Sequence, residues 1–125
     1  NGVVWSRMTS NADWEGREKQ ALTITSDGYF VVTGGQKSGS VKFNDVWISQ
    51  DTTTGVFWTE LTSNAGWTAR FAHGAAVASG RDLILMGNEN QNQVWLSPGI
   101  TTTSPNDAPS YLGQGNLVFS GASSL

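Results

Sequence analysis

Apolar and polar residues alternate along this chain in short bursts separated by turn-forming residues. ALTITS (21–26) alternates with a period of two, and YFVVTGG (29–35) follows as an apolar run. Asp27-Gly28 between them reads as a tight-turn signal, so the two segments predict a hairpin. NDVWIS (44–49) alternates again and puts Val46 and Ile48 on one face and Trp47 on the other. FWTELT (57–62) closes the first group. A second group reads HGAAVA (73–78), DLILMG (82–87) and NQVWLS (92–97), and the following ITTTSPNDAPS (100–110) reads as loop. No segment carries an apolar stripe of helical period, so the pattern predicts an all-β chain with essentially no helix.

The two groups are copies of one unit. Sliding the chain by 53 residues sets Val3 on Val56, Trp5 on Trp58, TSNA (9–12) on TSNA (62–65), Trp14 on Trp67, Arg17 on Arg70 and Gly34 on Gly87. Further on the offset falls to 48, and NDVWIS meets NQVWLS. The residues lost between those points belong to QKSGSVKF (36–43), which marks that stretch as a loop. LVFSG (117–121) faintly echoes LILMG (83–87). A period near fifty residues signals an array of supersecondary units. Four short antiparallel strands per period is the content of one β-propeller blade.

Composition narrows the field without reversing this picture. The 125 residues are 38% hydrophobic and only 14% charged, with 15 Gly and 6 Trp, which suits a turn-rich β protein better than a helical bundle. The net charge is −3 and the seven Lys and Arg are scattered singly, so no phosphate-tracking surface and no nucleic-acid partner is expected. No run approaches the length of a membrane span. Cysteine is absent, which removes disulfides, thiolate metal sites and Cys nucleophiles. Asn1 in place of an initiator methionine reads as a mature or cut terminus. Richness in Thr, Ser and Asn with low charge suggests an extracellular or cell-surface setting.

In order along the chain, Arg17, Gly34-Gly35, Asn44-Asp45-Val46-Trp47 and Trp58 resemble the kelch motif. In that family a strand following Arg or His leads to a strand ending in Gly-Gly, then to a strand with an aromatic, then to an outer strand with Trp. The second copy, with Arg70, His73, Gly87-Asn88 and Val94-Trp95, matches with its second Gly lost. The resemblance covers residues 3–97 and implies four-stranded antiparallel blades. The boundaries are an outer strand at 3–8 (VVWSRM), a first blade at 20–61, a second at 73–97 and a degenerate partial blade at 98–125. Ser49, Asp51, Gly55 and Trp58 also resemble the Asp-box turn of sialidase-like propellers, with two extra residues between Asp51 and Gly55. In its family that turn is a stabilising device away from the catalytic centre. Kelch-like rings close with about five to seven blades. This chain supplies two to two and a half, so the ring is incomplete. The missing blades would come from copies of the chain, from a longer chain or from a partner protein.

Candidate site residues fall on the joints and the variable loops. Trp14 and Trp67 sit in the repeated TSNA-x-W segment joining one blade to the next. There they read as wedges between blades, or as an aromatic platform for a ligand. Arg17 and Arg70 recur too, and a recurring Arg pairs first with a carboxylate or carbonyls of its own blade. Asp45 is the partner expected for Arg17; its counterpart Gln93 leaves the pairing in the second blade open. His73 is the sole histidine and its counterpart is Gln20, so a hydrogen-bonded structural role is favoured over catalysis or metal binding. No G-x-S-x-G elbow, paired carboxylates or phosphate loop occurs. The loops QKSGSVKF and TSNADWEGREK should open on one face, which adds Glu15, Lys37, Lys42, Phe43 and Asn90 as binding candidates.

These features predict no catalytic residue, no cofactor and no metal. The expected function is a non-catalytic interaction and assembly module that binds a partner or ligand through its inter-blade loops. The alternatives are a piece of a secreted propeller enzyme or an oligomeric lectin. An enzyme resembling galactose oxidase needs a cysteine-modified tyrosine and histidine copper ligands, which zero Cys and one His defeat. One resembling sialidases needs an arginine triad with a Tyr/Glu pair. Arg7, Arg17, Arg70 and Arg81 with Tyr29 or Tyr111 only faintly imitate that.

Overall fold

A computed structural model describes residues 2–88 and 92–101. They form three antiparallel sheets and one 3-10 turn at Ser79–Arg81, with no α-helix among the described residues. The first sheet is four-stranded, in the order β1 (Ala21–Ile24), β2 (Phe30–Thr33), β5 (Val46–Ser49), β6 (Trp58–Thr62). A hairpin of β3 (Gln36–Lys37) and β4 (Val41–Lys42) is inserted between β2 and β5. The second sheet has three strands, β7 (Gly74–Val77), β8 (Leu83–Met86) and β9 (Val94–Ser97). All pairings are antiparallel.

Several expectations need amending. The β1–β2 connection is wider than an Asp27-Gly28 two-residue turn: Thr25 N–H bonds to Tyr29 O (2.8 Å) and Gly28 N–H to Thr25 O (2.9 Å). Gly28 takes φ +99°, a conformation that costs glycine little. Stretch 36–43, expected as a loop, is a hairpin turning through Gly39 and Ser40, both at positive φ. Segment 3–8, expected as an outer strand, forms none. Val3, Val4 and Trp5 are exposed there: the segment is the repeat twin of 56–61, whose strand β6 pairs with β5 just before it, and no described strand stands beside 3–8 in that way. Among the described residues the second sheet has three strands, at the places read from HGAAVA, DLILMG and NQVWLS, and the partial blade at 98–125 lies mostly outside the described residues.

Register decides which residues meet. In antiparallel pairs, directly opposed residues share a face. One face of the first sheet therefore carries Thr23, Val31, Thr33, Val46 and Ile48, and the other carries Leu22, Ile24, Val32 and Trp47. Val31, Val46, Ile48 and Leu61 form one buried cluster with Ala65, Trp67, Leu83, Leu85 and Ile100, and Ala75, Val77 and Trp95 pack against it. Leu83 and Leu85 belong to the second sheet, on the face shared by Ala75, Val77 and Trp95. The core is thus sheet on sheet, with Trp67 on the connecting segment between them. Leu61 sits at a bulge opposite Val46/Trp47, which turns an additional large side chain into that core.

The β5–β6 connection explains the resemblance to an Asp box. Ser49 Oγ accepts from Phe30 N–H (2.9 Å) and donates to Asp51 O (2.6 Å). The Asp51 carboxylate accepts from Thr53 N–H, Thr54 N–H and Thr54 Oγ1. Trp58 Nε1 donates to Gly55 O at 2.7 Å. The Thr54 bonds, then that of Thr53, hold the Asp51 carboxyl well below the usual carboxylate range. A group so lowered stabilises the fold above its unfolded value and loses that contribution as pH falls through its folded value. Asp51→Ala should therefore flatten the acid limb of stability measured by urea titration below pH 4; an unchanged limb would contradict the role.

Candidate functional site

Each joint segment ends in an arginine that folds back into its own sheet. Arg17 donates through Nε to Glu15 O (3.0 Å), through Nη1 to Gly34 O (2.9 Å) and bidentately to Asp45 (2.6 and 2.8 Å). Arg70 donates through Nε to Thr68 O (3.0 Å), through Nη1 to Gly87 O (2.7 Å) and through Nη2 to Gln93 Oε1 (3.2 Å). The indoles complete the copy, since Trp47 Nε1 donates to Asp45 and Trp95 Nε1 to Gln93. The pairing left open by sequence is therefore kept, with a neutral amide oxygen replacing a carboxylate. The Arg17 side chain is 1% exposed and Arg70 is fully buried, so both are committed to the interior.

His73 sits in the seam between the two sheets. Its Nε2 lies 2.8 Å from Thr33 Oγ1, and its ring is 6.0 Å from that of Trp67. A Cβ on Gly34 would come within 2.7 Å of both the His73 ring and Arg70 O, so the close approach requires glycine there. Burial pushes the His73 pKa down to about 4, and the charge of Arg70 pushes in the same direction against a hydrogen bond with Thr33. Folding thus disfavours the charged form. Its contribution is complete above about pH 6.5, the unfolded value, and is lost as pH falls towards 4. Allowing for partial solvent screening, that loss is on the order of 2 kcal/mol. His73→Gln, which copies Gln20 of the first unit, should remove the pH dependence between 6.5 and 4 in denaturation midpoints; an undiminished dependence would assign it elsewhere.

The variable loops converge as their sequence positions suggested. Glu18 and Gln36 exchange backbone hydrogen bonds at 2.8 and 2.9 Å, and Lys37 pairs with Glu15. The next joint joins them: Arg70 N–H donates to Phe43 O (3.0 Å) and Ala72 N–H to Lys19 O (2.8 Å). Phe43 stacks beneath the Arg17 guanidinium at 4.0 Å, and Lys19 and Lys42 each approach the Phe71 ring at 5.1 Å. An open groove of about 440 Å3 runs between Gly16, Arg17, Glu18, Gln36, Lys37 and Ser38. Glu15, Lys37, Lys42 and Phe43 are therefore brought together around one surface. Trp67, Arg70 and His73 lie in the seam below it. Trp14 packs edge-on against Trp58 at 5.9 Å, and Asn90 lies outside the described residues. Sequence reasoning missed Lys19 and Phe71, which only the meeting of two joints makes neighbours.

Among the described residues no three His, Cys, Asp or Glu side chains are grouped to hold a metal. No described helix is long and apolar enough to cross a membrane. No protein-family model and no curated protein sequence matches the chain.

Proposed function

We propose that this chain is a non-catalytic segment of a kelch-like β-propeller, an interaction and assembly module that binds through the loops joining its blades. One observation carries the reading: the arginine clamp is written twice in two sheets stacked face to face, with matching carbonyl and indole partners and Gln93 in the place of Asp45. Such repetition is what a propeller asks of successive blades. The binding surface in this reading is the convergence of loops 15–19, 36–43 and 70–72, held by the rigid sheets beneath. Its lysines, two of them set against Phe71, suit a ligand with an anionic group and an apolar or sugar face. In this reading further blades are the partners, and the low charge with richness in Thr, Ser and Asn favours a setting outside the cell or at its surface.

Titration of the labelled protein with a panel of acidic and neutral oligosaccharides and acidic peptides, followed by NMR, tests the binding surface. Shifts should concentrate on Gly16, Lys19, Lys37, Lys42 and Phe43. Lys37→Glu combined with Lys42→Glu should weaken binding at least tenfold, about 1.4 kcal/mol. Perturbation confined to strand residues, or turnover of any panel member, would overturn the proposal.

A further inference from the structure

The two halves of one seam contact recur unjoined, one in each repeat unit, as well as meeting inside the chain. Inside, Asn44 holds the second joint segment. Its Nδ2 donates to Asn64 Oδ1 (2.6 Å), Ala65 O (3.1 Å) and Trp67 O (3.4 Å), and its carbonyl accepts from Ala65 N–H (2.9 Å). The repeat supplies a twin for each half. Asn92 stands before β9 as Asn44 stands before β5, and Asn11-Ala12-x-Trp14 is the twin of Asn64-Ala65-x-Trp67.

The twin acceptor segment already has the right shape. Asn11 N–H donates to Thr9 Oγ1 at 3.1 Å, as Asn64 N–H does to Thr62 Oγ1 at 3.1 Å. Arg17 Nε reaches Glu15 O at 3.0 Å, as Arg70 Nε reaches Thr68 O at 3.0 Å. Burial is what differs. Ala65 and Trp67 are 4% and 3% exposed, whereas Ala12 and Trp14 are half-buried and Asn11 and Asn92 are exposed. An open groove of about 340 Å3 runs beside Asn11, Ala12 and Trp14.

The sheet faces tell the same story. Ala76, Ile84, Met86 and Val94 occupy the positions that Thr23, Val31, Thr33 and Val46 fill in the first sheet's buried face. Met86 and Val94 nevertheless remain 48% and 64% exposed. Leu22 and Ile24 are the twins of Ala75 and Val77, which pack on the core, yet are 61% and 52% exposed. Open apolar area of this kind marks an interaction site.

We infer that these surfaces are the two sides of a head-to-tail interface between copies of this chain. In it Asn92 of one copy holds Asn11–Trp14 of the next, and the Ile84/Met86 face receives the Leu22/Ile24 face. This rests on reading the two sheets as successive blades. A second copy is the occupant the residues specify, because one chain carries the asparagine, the segment it recognises and both apolar faces of its own internal seam. The contact is heterologous, so the same operation can continue until a ring closes.

The absence of native cysteine makes the test direct. Asn11→Cys and Asn92→Cys are made on separate copies of the full chain and mixed under mild oxidation. Asn44→Cys/Asn64→Cys in one chain serves as the internal standard for the same geometry. The inference predicts a disulfide-linked dimer in the mixture at several-fold the yield of either variant alone. Equal or greater yield from Asn92→Cys alone would mean a two-fold symmetric contact and overturn it. No cross-link in a particle heavier than one chain would also overturn it, while leaving the blade reading standing with another occupant on these faces.

Discussion

Replacing Arg17 by alanine should lower the unfolding free energy by about 3–5 kcal/mol, the range found when one partner of a buried ion pair is removed. Asp45 is 7% exposed, and it would lose both guanidinium bonds and keep only the Trp47 indole donor. Gly34 O would lose its side-chain donor too. The second unit supplies a control. There Gln93 accepts from both Arg70 and Trp95, so a neutral amide fills the same place. Asp45→Gln should therefore cost only about 1 kcal/mol, the net worth of a hydrogen bond. Urea unfolding at pH 7 followed by tryptophan fluorescence measures both. Equal losses would mean that ionic charge, and not the clamp's geometry, holds the unit.

The repeated tryptophans should respond unequally although their sequence contexts are nearly the same. Trp67 is 3% exposed inside the cluster shared by both sheets, so Trp67→Ala leaves a large cavity and should cost about 3–5 kcal/mol. Trp14 is half-buried, with Trp58 edge-on at 5.9 Å and Arg17 at 5.9 Å from its ring. For a single copy Trp14→Ala should cost on the order of 1–2 kcal/mol, mostly the aromatic contact and part of the buried area. Thermal midpoints at high dilution compare the two. A Trp14 variant as damaged as the Trp67 variant would mean that the first joint is already sealed within one chain.

Much of the strand order was legible because period-two alternation reports a sheet's two faces directly. ALTITS, YFVVTGG, NDVWIS and FWTELT became β1, β2, β5 and β6, each a residue or two shorter at one or both ends. Arg17 with Asp45 was legible because a recurring arginine needs an acceptor at a recurring place. Other features depend on contacts that no local pattern carries. The β3–β4 hairpin follows from Glu18 pairing with Gln36, eighteen positions away in sequence. The lowered pKa of His73 follows from its burial in the seam and from the charge of Arg70 beside it there. Segment 3–8 shows the reverse error. VVWSRM has strand composition, but β propensity expresses packing on a sheet, and no described strand lies beside this segment to pair with it. Asn44 was legible only as part of the kelch-like motif, because its seam role lies in three acceptors on a segment about twenty residues ahead.

The central claim is that two stacked, repeating sheets leave a matching pair of apolar faces that other blades must cover. Sedimentation velocity of the full chain across the micromolar range, read beside its mass of 13.3 kDa, tests this most directly. The account predicts a particle several times that mass, shifting towards single chains on dilution. A sharp 13.3 kDa species at every concentration, with an undiminished unfolding transition, would contradict it.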